Sequence, residues 1–448
     1  MARAAARQRG GARKRRASRA REDTSGTGSL EYRMLLTATM CLLAFGAVMV
    51  YSASSARTLL QGGGYGGSYL VKFIAFGALG LILMRLLARD GIAKVHHITA
   101  PLLAVSLALV LAVHIPHVGV SVNGARRWIG PGQLQFQPSE LLKIALVLYS
   151  ATLLARRPAC VHDLHELARP LLAVVAGACL LVFTQPDLGT TLVIAFTFAT
   201  MLIACGIPMG KLGRIAAAVL GVVLLYALVR PYARARLTSF LDPWAHASSS
   251  GFQAVQGQIA IGSGGMFGVG PGQSVQKMFY LPEAPTDFIL AVIAEELGVL
   301  GVFALLFLYG LIAWAGLRAA KAARSLYSAL IAVGVTALIV SQAALNAFAV
   351  LGLAPLTGVP LPFVSYGSTS LIVMLAAMGL LLNVASGATG HVRAVTPSRR
   401  ARQGGGDARA RETARLARER AAEEDRDRRR RNGGSRGAGS GGGARAAG

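Results

Sequence analysis

The chemistry of this sequence concentrates in Leu281-Pro-Glu-Ala-Pro-Thr-Asp287, a polar approach to the apolar run Phe288-Ile-Leu-Ala-Val-Ile-Ala294. Asp287 therefore stands at the N-terminus of a predicted membrane helix, where the helix dipole favours its ionised form. A carboxylate in that state caps the helix, accepts a proton or holds a cation, and is poorly suited to donating a proton. Glu283 precedes it in the loop. Glu295 and Glu296 follow two to three turns down the helix, Glu295 at roughly 12 Å of rise and about 80° around the axis, Glu296 on the opposite face. The four acids cannot all line one surface, so at least one is expected to pair with an interior group such as Lys143 or an amide from another span.

Other costly side chains are expected on the same side of the membrane. The stretch 115–137 carries Asn123, Arg126, Arg127, Trp128, Gln133 and Gln137, and the next predicted helix opens with Pro138-Ser-Glu140 and sets Lys143 one turn inward. Glu140 and Lys143, spaced i,i+3, either form an ion pair or serve a ligand. Asp187, in the short turn Gln185-Pro-Asp-Leu-Gly189, either caps the following helix or binds a ligand or metal. Gln342 and Asn346 read as interhelical hydrogen-bonding amides. Three prolines between Pro355 and Pro362 exclude a regular helix, and Ser365, Tyr366, Ser368 and Thr369 then offer hydroxyls to sugar or phosphate oxygens. Carboxylates, cations, hydroxyls and an indole beside lipid suit a substrate with an anionic, oxygen-rich head and a lipid tail. A transporter vestibule would carry the same groups.

What must position these residues is a membrane bundle. The 448-residue chain is 54% hydrophobic and 15% charged, and its charges avoid repeated stretches long enough to cross roughly 30 Å of hydrocarbon at about 1.5 Å per residue. The fold class predicted is an all-α polytopic integral membrane protein of about ten transmembrane helices. The spans fall near 34–53, 70–88, 98–114, 138–155, 168–184, 189–207, 212–230, 288–315, 326–349 and 366–386. Arg85, Arg89, Lys94, Arg156, Arg157, Lys211, Arg214, Arg318, Lys321 and Arg324 flank connections on one side. By the positive-inside rule that side is cytoplasmic and shared by both chain ends. The long loop 231–287 is extracytoplasmic, and its glycines at 262–265 and 268–272 indicate close backbone packing or, as the lesser reading, a phosphate cradle.

The organisation is thus a basic tail over 1–30, a membrane domain over 31–390 and an Arg/Gly/Ala-rich tail over 391–448. Residues 1–29 hold nine Lys/Arg against two acids and 392–448 hold sixteen against seven, so the tails contribute +16 of the net +26. Such tails read as disordered cytoplasmic segments attracted to anionic lipid, not as nucleic-acid binders, with an exposed helix allowed over 408–431. No cleavable signal peptide is expected ahead of the first span. The four cysteines show no disulfide pattern or metal-ligand spacing.

The order of motifs resembles the SEDS family (shape, elongation, division and sporulation) over about residues 34–390. The motifs are Val50-Tyr-Ser-Ala-Ser54, Asn123-Gly-Ala-Arg-Arg-Trp-Ile129, Gln137-Pro-Ser-Glu-Leu-Leu-Lys143, Gln185-Pro-Asp-Leu-Gly-Thr190, Ile259-Ala-Ile-Gly-Ser-Gly-Gly265, Leu281–Asp287, Glu295-Glu-Leu-Gly298 and Pro355–Ser370. The resemblance implies the SEDS fold and an inverting peptidoglycan glycosyltransferase that polymerises lipid II into β-1,4-linked glycan and releases undecaprenyl pyrophosphate. It implies Asp287 as the catalytic residue, a general base or a cation ligand. Arg127 and Lys143, then Arg126, are the expected leaving-group cations; Trp128, Glu140, Asp187, Glu283, Glu296, Ser365 and Tyr366 complete the substrate site. A divalent Mg or Mn ion at Asp287 or Asp187 is allowed. The implied partners are lipid II, the lipid-linked nascent glycan, a class B penicillin-binding protein (a single-span transpeptidase) and other divisome proteins. The implied location is the bacterial plasma membrane at the division septum. Ser274–Ala284 and the long tails favour the cell-division branch over the elongation branch. Two positions depart from the family pattern: Ser368 stands where glycine is usual, and His246 where an acid is usual. The rival readings are a lipid II flippase and a scaffold that recruits the transpeptidase.

Overall fold

The structure, a computed structural model, describes residues 30–55, 67–122, 125–130, 135–158, 163–167, 171–229, 231–249, 251–278 and 280–387. All lie in the first of two compact units, Met1–Gly390; the second, His391–Gly448, falls outside the described residues, as do the N-terminal tail, Asn123, Gln133 and Cys160. Among the described residues, seven helical segments are long and apolar enough to cross a membrane. They comprise α1 (Leu30–Ser55), two spans within α2 (Ser68–Ala112), α3 (Pro138–Arg156), α10 (Ile289–Ala322), α11 (Leu326–Val350) and α12 (Ser368–Ala385). Between α3 and α10 run α4 (Leu164–Leu167), α5 (Ala173–Phe183), α6 (Leu188–Ala204), α7 (Met209–Val229), α8 (Pro231–Leu241) and α9 (Phe252–Gly264). Each of the ten predicted spans coincides with all or part of one of these helices.

The predicted connection between the second and third spans shrinks to residues 90–93, helical themselves, between Ser68–Arg89 and Lys94–Ala112. The chain still doubles back there. Tyr69 packs edge-on against Tyr366 and the Val110 carbonyl accepts from Gln185 at the Asp287 end, whereas Ala88 and Arg89 accept from Asn383 and His96 meets Tyr327 at the far end. Arg318 pairs with Glu31 at that far end too.

Burial separates the helices into a centre and a lipid-facing ring. The apolar windows of α3, α11 and α12 are 72%, 72% and 83% buried, against 22% for Ser68–Arg89 and for α10. Close approach at the centre comes from small residues, since lipid supplies no hydrophobic drive between helices. A Cβ on Gly334 would stand 2.6 Å from Val147 and 2.9 Å from Met201.

α10 is interrupted at Gly298, whose φ of 66° and ψ of −164° leave the helix. The break frees backbone groups that hydrocarbon cannot satisfy. The glycine-rich loop satisfies them: Val269 and Gly270 donate to the Glu295 and Glu296 carbonyls, and Val299 and Leu300 donate to the Gly265 and Met266 carbonyls. Gly264 and Gly268 therefore serve close packing. A Cβ on Gly264 would meet the Ala294 carbonyl oxygen at 1.9 Å, whereas one on Gly262 meets nothing within 4 Å. Gly264→Ala is expected to cost about 1–3 kcal/mol or more as overpacking, and Gly262→Ala to stay near wild type. Thermal unfolding of the two purified variants in one detergent checks the difference.

Candidate active site

A cavity of about 580 Å³ opens at one end of the bundle. Its wall is built by the hairpin of β1 (Gly119–Val122) and β2 (Ala125–Ile129), by α8, α9, the approach to α10, and the irregular segment 352–367. Of the residues predicted from sequence, Arg127, Trp128, Glu283, Asp287 and Tyr366 line it.

Asp287 is fixed through its backbone. Asn346, one turn from the end of α11, donates from its side-chain amide to the Asp287 carbonyl and to the Val359 carbonyl, each at 2.8 Å. Gln342, one turn earlier, donates to the Pro360 carbonyl at 2.9 Å. Gln342 also bonds between helices, accepting from Lys143 on α3, and the pair in addition ties the proline-rich segment, rich in carbonyls without helical partners, to Asp287. The Thr286 hydroxyl lies 3.1 Å from both Asp287 Oδ1 and Glu283 Oε2. Glu283 has a left-handed backbone, φ 57°, which turns the chain tightly into this arrangement. Burial, and second the Glu283 carboxylate, raise the Asp287 pKa to about 6, with hydrogen bonding and Arg236 acting in the opposite sense.

Arg127 reaches the cavity because of a β-bulge. Val120 pairs with Trp128 and Ser121 with Arg126, so Arg127 is the extra residue, turned out of the ladder. Its guanidinium donates to the Gln185 carbonyl at 3.2 Å and to the Pro186 carbonyl, and lies 3.7 Å from Asp187 Oδ1. Arg126 is exposed outside the cavity. Asp187 also caps α6 through the Thr190 amide and accepts from Gln137, so the cap reading holds, and the same carboxylate faces Arg127.

Gly358 joins the two charged groups. A Cβ there would stand 3.7 Å from Asp287 Oδ2 and 3.9 Å from Arg127 Nη1, so carboxylate and guanidinium flank one glycine whose φ is 69°. Neither Gly358 nor Arg236 stood out in the sequence. Arg236, on α8, lines the same cavity and donates to the Leu356 carbonyl at 2.5 Å. In the sequence it was one cation within the predicted loop 231–287, part of which forms α8 and α9 in the structure.

Besides Arg126 and Asp187, four predicted site residues lie outside the cavity wall: Glu140, Lys143, Glu296 and Ser365. Lys143 is sequestered: its ammonium donates to Glu140 at 2.8 Å and to Gln342 at 2.7 Å, with its side chain 0% exposed. It therefore cannot meet a leaving group in this conformation, nor is it the partner of the α10 acids. Glu296 pairs instead with Lys277 at 2.7 Å and accepts from Ser52, while Glu295 accepts from Ser274 and the Val275 amide. Ser365 accepts from the Leu361 amide and organises its own loop. Lys143→Met is expected to strand Glu140 and cost about 3–5 kcal/mol, and adding Glu140→Gln to recover most of it. Melting temperatures of the single and double variants decide this.

The two departures from the family pattern are accommodated. The Ser368 hydroxyl donates to the Gln135 carbonyl at 3.2 Å, and His246 meets the Asp242 carbonyl in an exposed turn. Among the described residues, no group of three or more His, Cys, Asp or Glu converges on a metal position.

Fold and cavity together define a polytopic helical membrane protein with a charged pocket at one end of its bundle. Residues 32–389 match the family profile FTSW_RODA_SPOVE, described as "Cell cycle protein". The chain belongs to this FtsW/RodA/SpoVE family, the SEDS proteins. It is 37% identical over 353 residues to the stage V sporulation protein E of Bacillus subtilis, covering 78% of this chain and 96% of that one. It is 39% identical over 358 residues to a probable peptidoglycan glycosyltransferase FtsW of Coxiella burnetii, covering 78% and 95%. Among solved structures, RodA of Thermus thermophilus matches with TM-score 0.58 and 30% identity over 78% of this chain and 95% of that one. A chain from work described as "Structural coordination of polymerization and crosslinking by a peptidoglycan synthase complex" matches with TM-score 0.66 and 32% identity over 80% and 98%.

Proposed function

We propose that the chain is a peptidoglycan glycosyltransferase that extends a lipid-linked glycan with lipid II. The observation that carries this reading is that Asp287 Oδ2 and Arg127 Nη1 both lie beside Gly358 in one cavity. Asp287 takes the proton of the acceptor 4-hydroxyl. The hydroxyl oxygen then forms a bond to the donor anomeric carbon, and the bond to the pyrophosphate oxygen breaks with its electron pair. Inversion from an α-linked donor to a β-glycoside needs no enzyme nucleophile. The departing pyrophosphate needs positive charge, which Arg127 supplies, with Arg236 on the same wall. Trp128, Glu283 and Tyr366 border the sugar, and Asp187 holds Arg127. A divalent ion, Mg or Mn, would find Asp287 and Glu283 as ligands, with substrate oxygens and water completing its shell.

In this reading the cavity faces the extracytoplasmic leaflet, both chain ends are cytoplasmic, and the enzyme works in the septal plasma membrane with a cognate class B penicillin-binding protein and other divisome proteins. Support for a synthase partner comes from the peptidoglycan synthase complex among its structural relatives.

The test is reconstitution of the purified full chain with lipid II, with and without the transpeptidase. Glycan polymer supports the proposal, and translocation of lipid without polymer would replace it with a flippase. A base must be ionised to act, and the Asp287 pKa is raised to about 6, so the rate is expected to fall as pH drops through about 6 and to level off above it. Initial rates across that range check the limb.

A further inference from the structure

We propose that Met266 and Phe267 form a wedge inserted into the bilayer leaflet on the Asp287 side, fixing the cavity-bearing loop to the level of the lipid. The argument starts from α10. Between Gly298 and Arg318 every residue is uncharged, a run that rises roughly 30 Å at 1.5 Å per residue and equals the hydrocarbon thickness. Trp314, stacked with Arg318 at 4.7 Å, marks one boundary as an interfacial aromatic does. Gly298 marks the other, with Glu295 and Glu296 just beyond it.

The loop is held at that second boundary by its backbone. The Gly265 carbonyl accepts from Val299 at 3.0 Å and the Met266 carbonyl from Leu300 at 3.3 Å, so the loop tip lies level with the first turn of the uncharged run. Yet Met266 is 62% and Phe267 79% exposed. Their exposed surface continues the stripe of Leu300, Phe303 and Phe307 on α10, which faces outward along the span, where acyl chains are the surrounding solvent. That continuity selects lipid as the occupant.

The wedge also has a mechanical consequence. A few residues on, the same loop supplies Ser274 and Lys277, which hold Glu295 and Glu296 on the half-helix that begins beside Asp287. Lipid contact at Met266 and Phe267 therefore sets the height of the catalytic end of α10 against a substrate anchored in the same leaflet.

The experiment places tryptophan at this site, as Phe267→Trp in the full-length protein, in phosphatidylcholine/phosphatidylglycerol vesicles with brominated acyl chains. The added emission over wild type is expected to be more than halved by bromines near the headgroup, less affected by bromines near the chain ends, and shielded from aqueous acrylamide. Quenching by acrylamide with indifference to bromolipid overturns the proposal. A second measurement, in cells, puts photoreactive benzoylphenylalanine at position 267. Phospholipid adducts support the wedge, and adducts with another protein instead make this face a protein interface and overturn it.

Discussion

Asp287→Asn is expected to lower glycan polymerisation by roughly 10²- to 10⁴-fold, the usual contribution of a positioned general base. The substitution keeps the side-chain shape and leaves the backbone bond that places this residue untouched, because Asn346 binds the Asp287 carbonyl and not its carboxylate. The fold should therefore survive, and melting in detergent should stay near wild type. Removing a carboxylate beside Glu283 also relieves a like-charge contact. Residual activity should lose the acid limb near pH 6, since the titrating group is gone. Polymer formed at the wild-type rate by the substituted protein would sink the assignment. Unchanged substrate binding beside lost turnover is the expected signature of a group that acts on the proton in transit.

Arg127→Ala carries the second large effect, roughly 10²- to 10³-fold in turnover if its charge stabilises the departing pyrophosphate. The residue also holds the 185–186 carbonyls and faces Asp187, so a structural loss has to be separated from a chemical one. Arg127→Ala with Asp187→Asn removes the stranded carboxylate. If the role were only to neutralise Asp187, this pair would regain activity as well as stability. The expected outcome is that melting recovers and turnover does not. Arg127→Lys should rescue partly, because a compact ammonium retains the charge but not the planar fork that grips two carbonyls at once.

Much of this protein is legible in its residues. Uncharged runs of span length have one stable arrangement in lipid, with backbone groups satisfied inside helices, so the bundle follows from chain composition alone. The glycines before Asp287 announced close packing, and the helix dipole made Asp287 a candidate before any geometry was known. The i,i+3 spacing of Glu140 and Lys143 correctly allowed a pair.

Pairings across the bundle were not legible, because polar side chains in an apolar setting have several partners of similar chemistry. Lys143 and Lys277 were both available to the α10 acids, and only the packing of the loop on α1 and α10 assigned Glu296 to Lys277. Adjacent arginines at 126 and 127 are equivalent in sequence. A one-residue bulge in a two-stranded ribbon, decided by backbone register, sends one into solvent and the other to the cavity. The sequence by itself determined a membrane bundle and the residue types at one end of it. The tertiary structure decided which of them share a cavity: a carboxylate and a guanidinium 160 residues apart in the chain both come to lie beside Gly358, and no local pattern encodes that proximity.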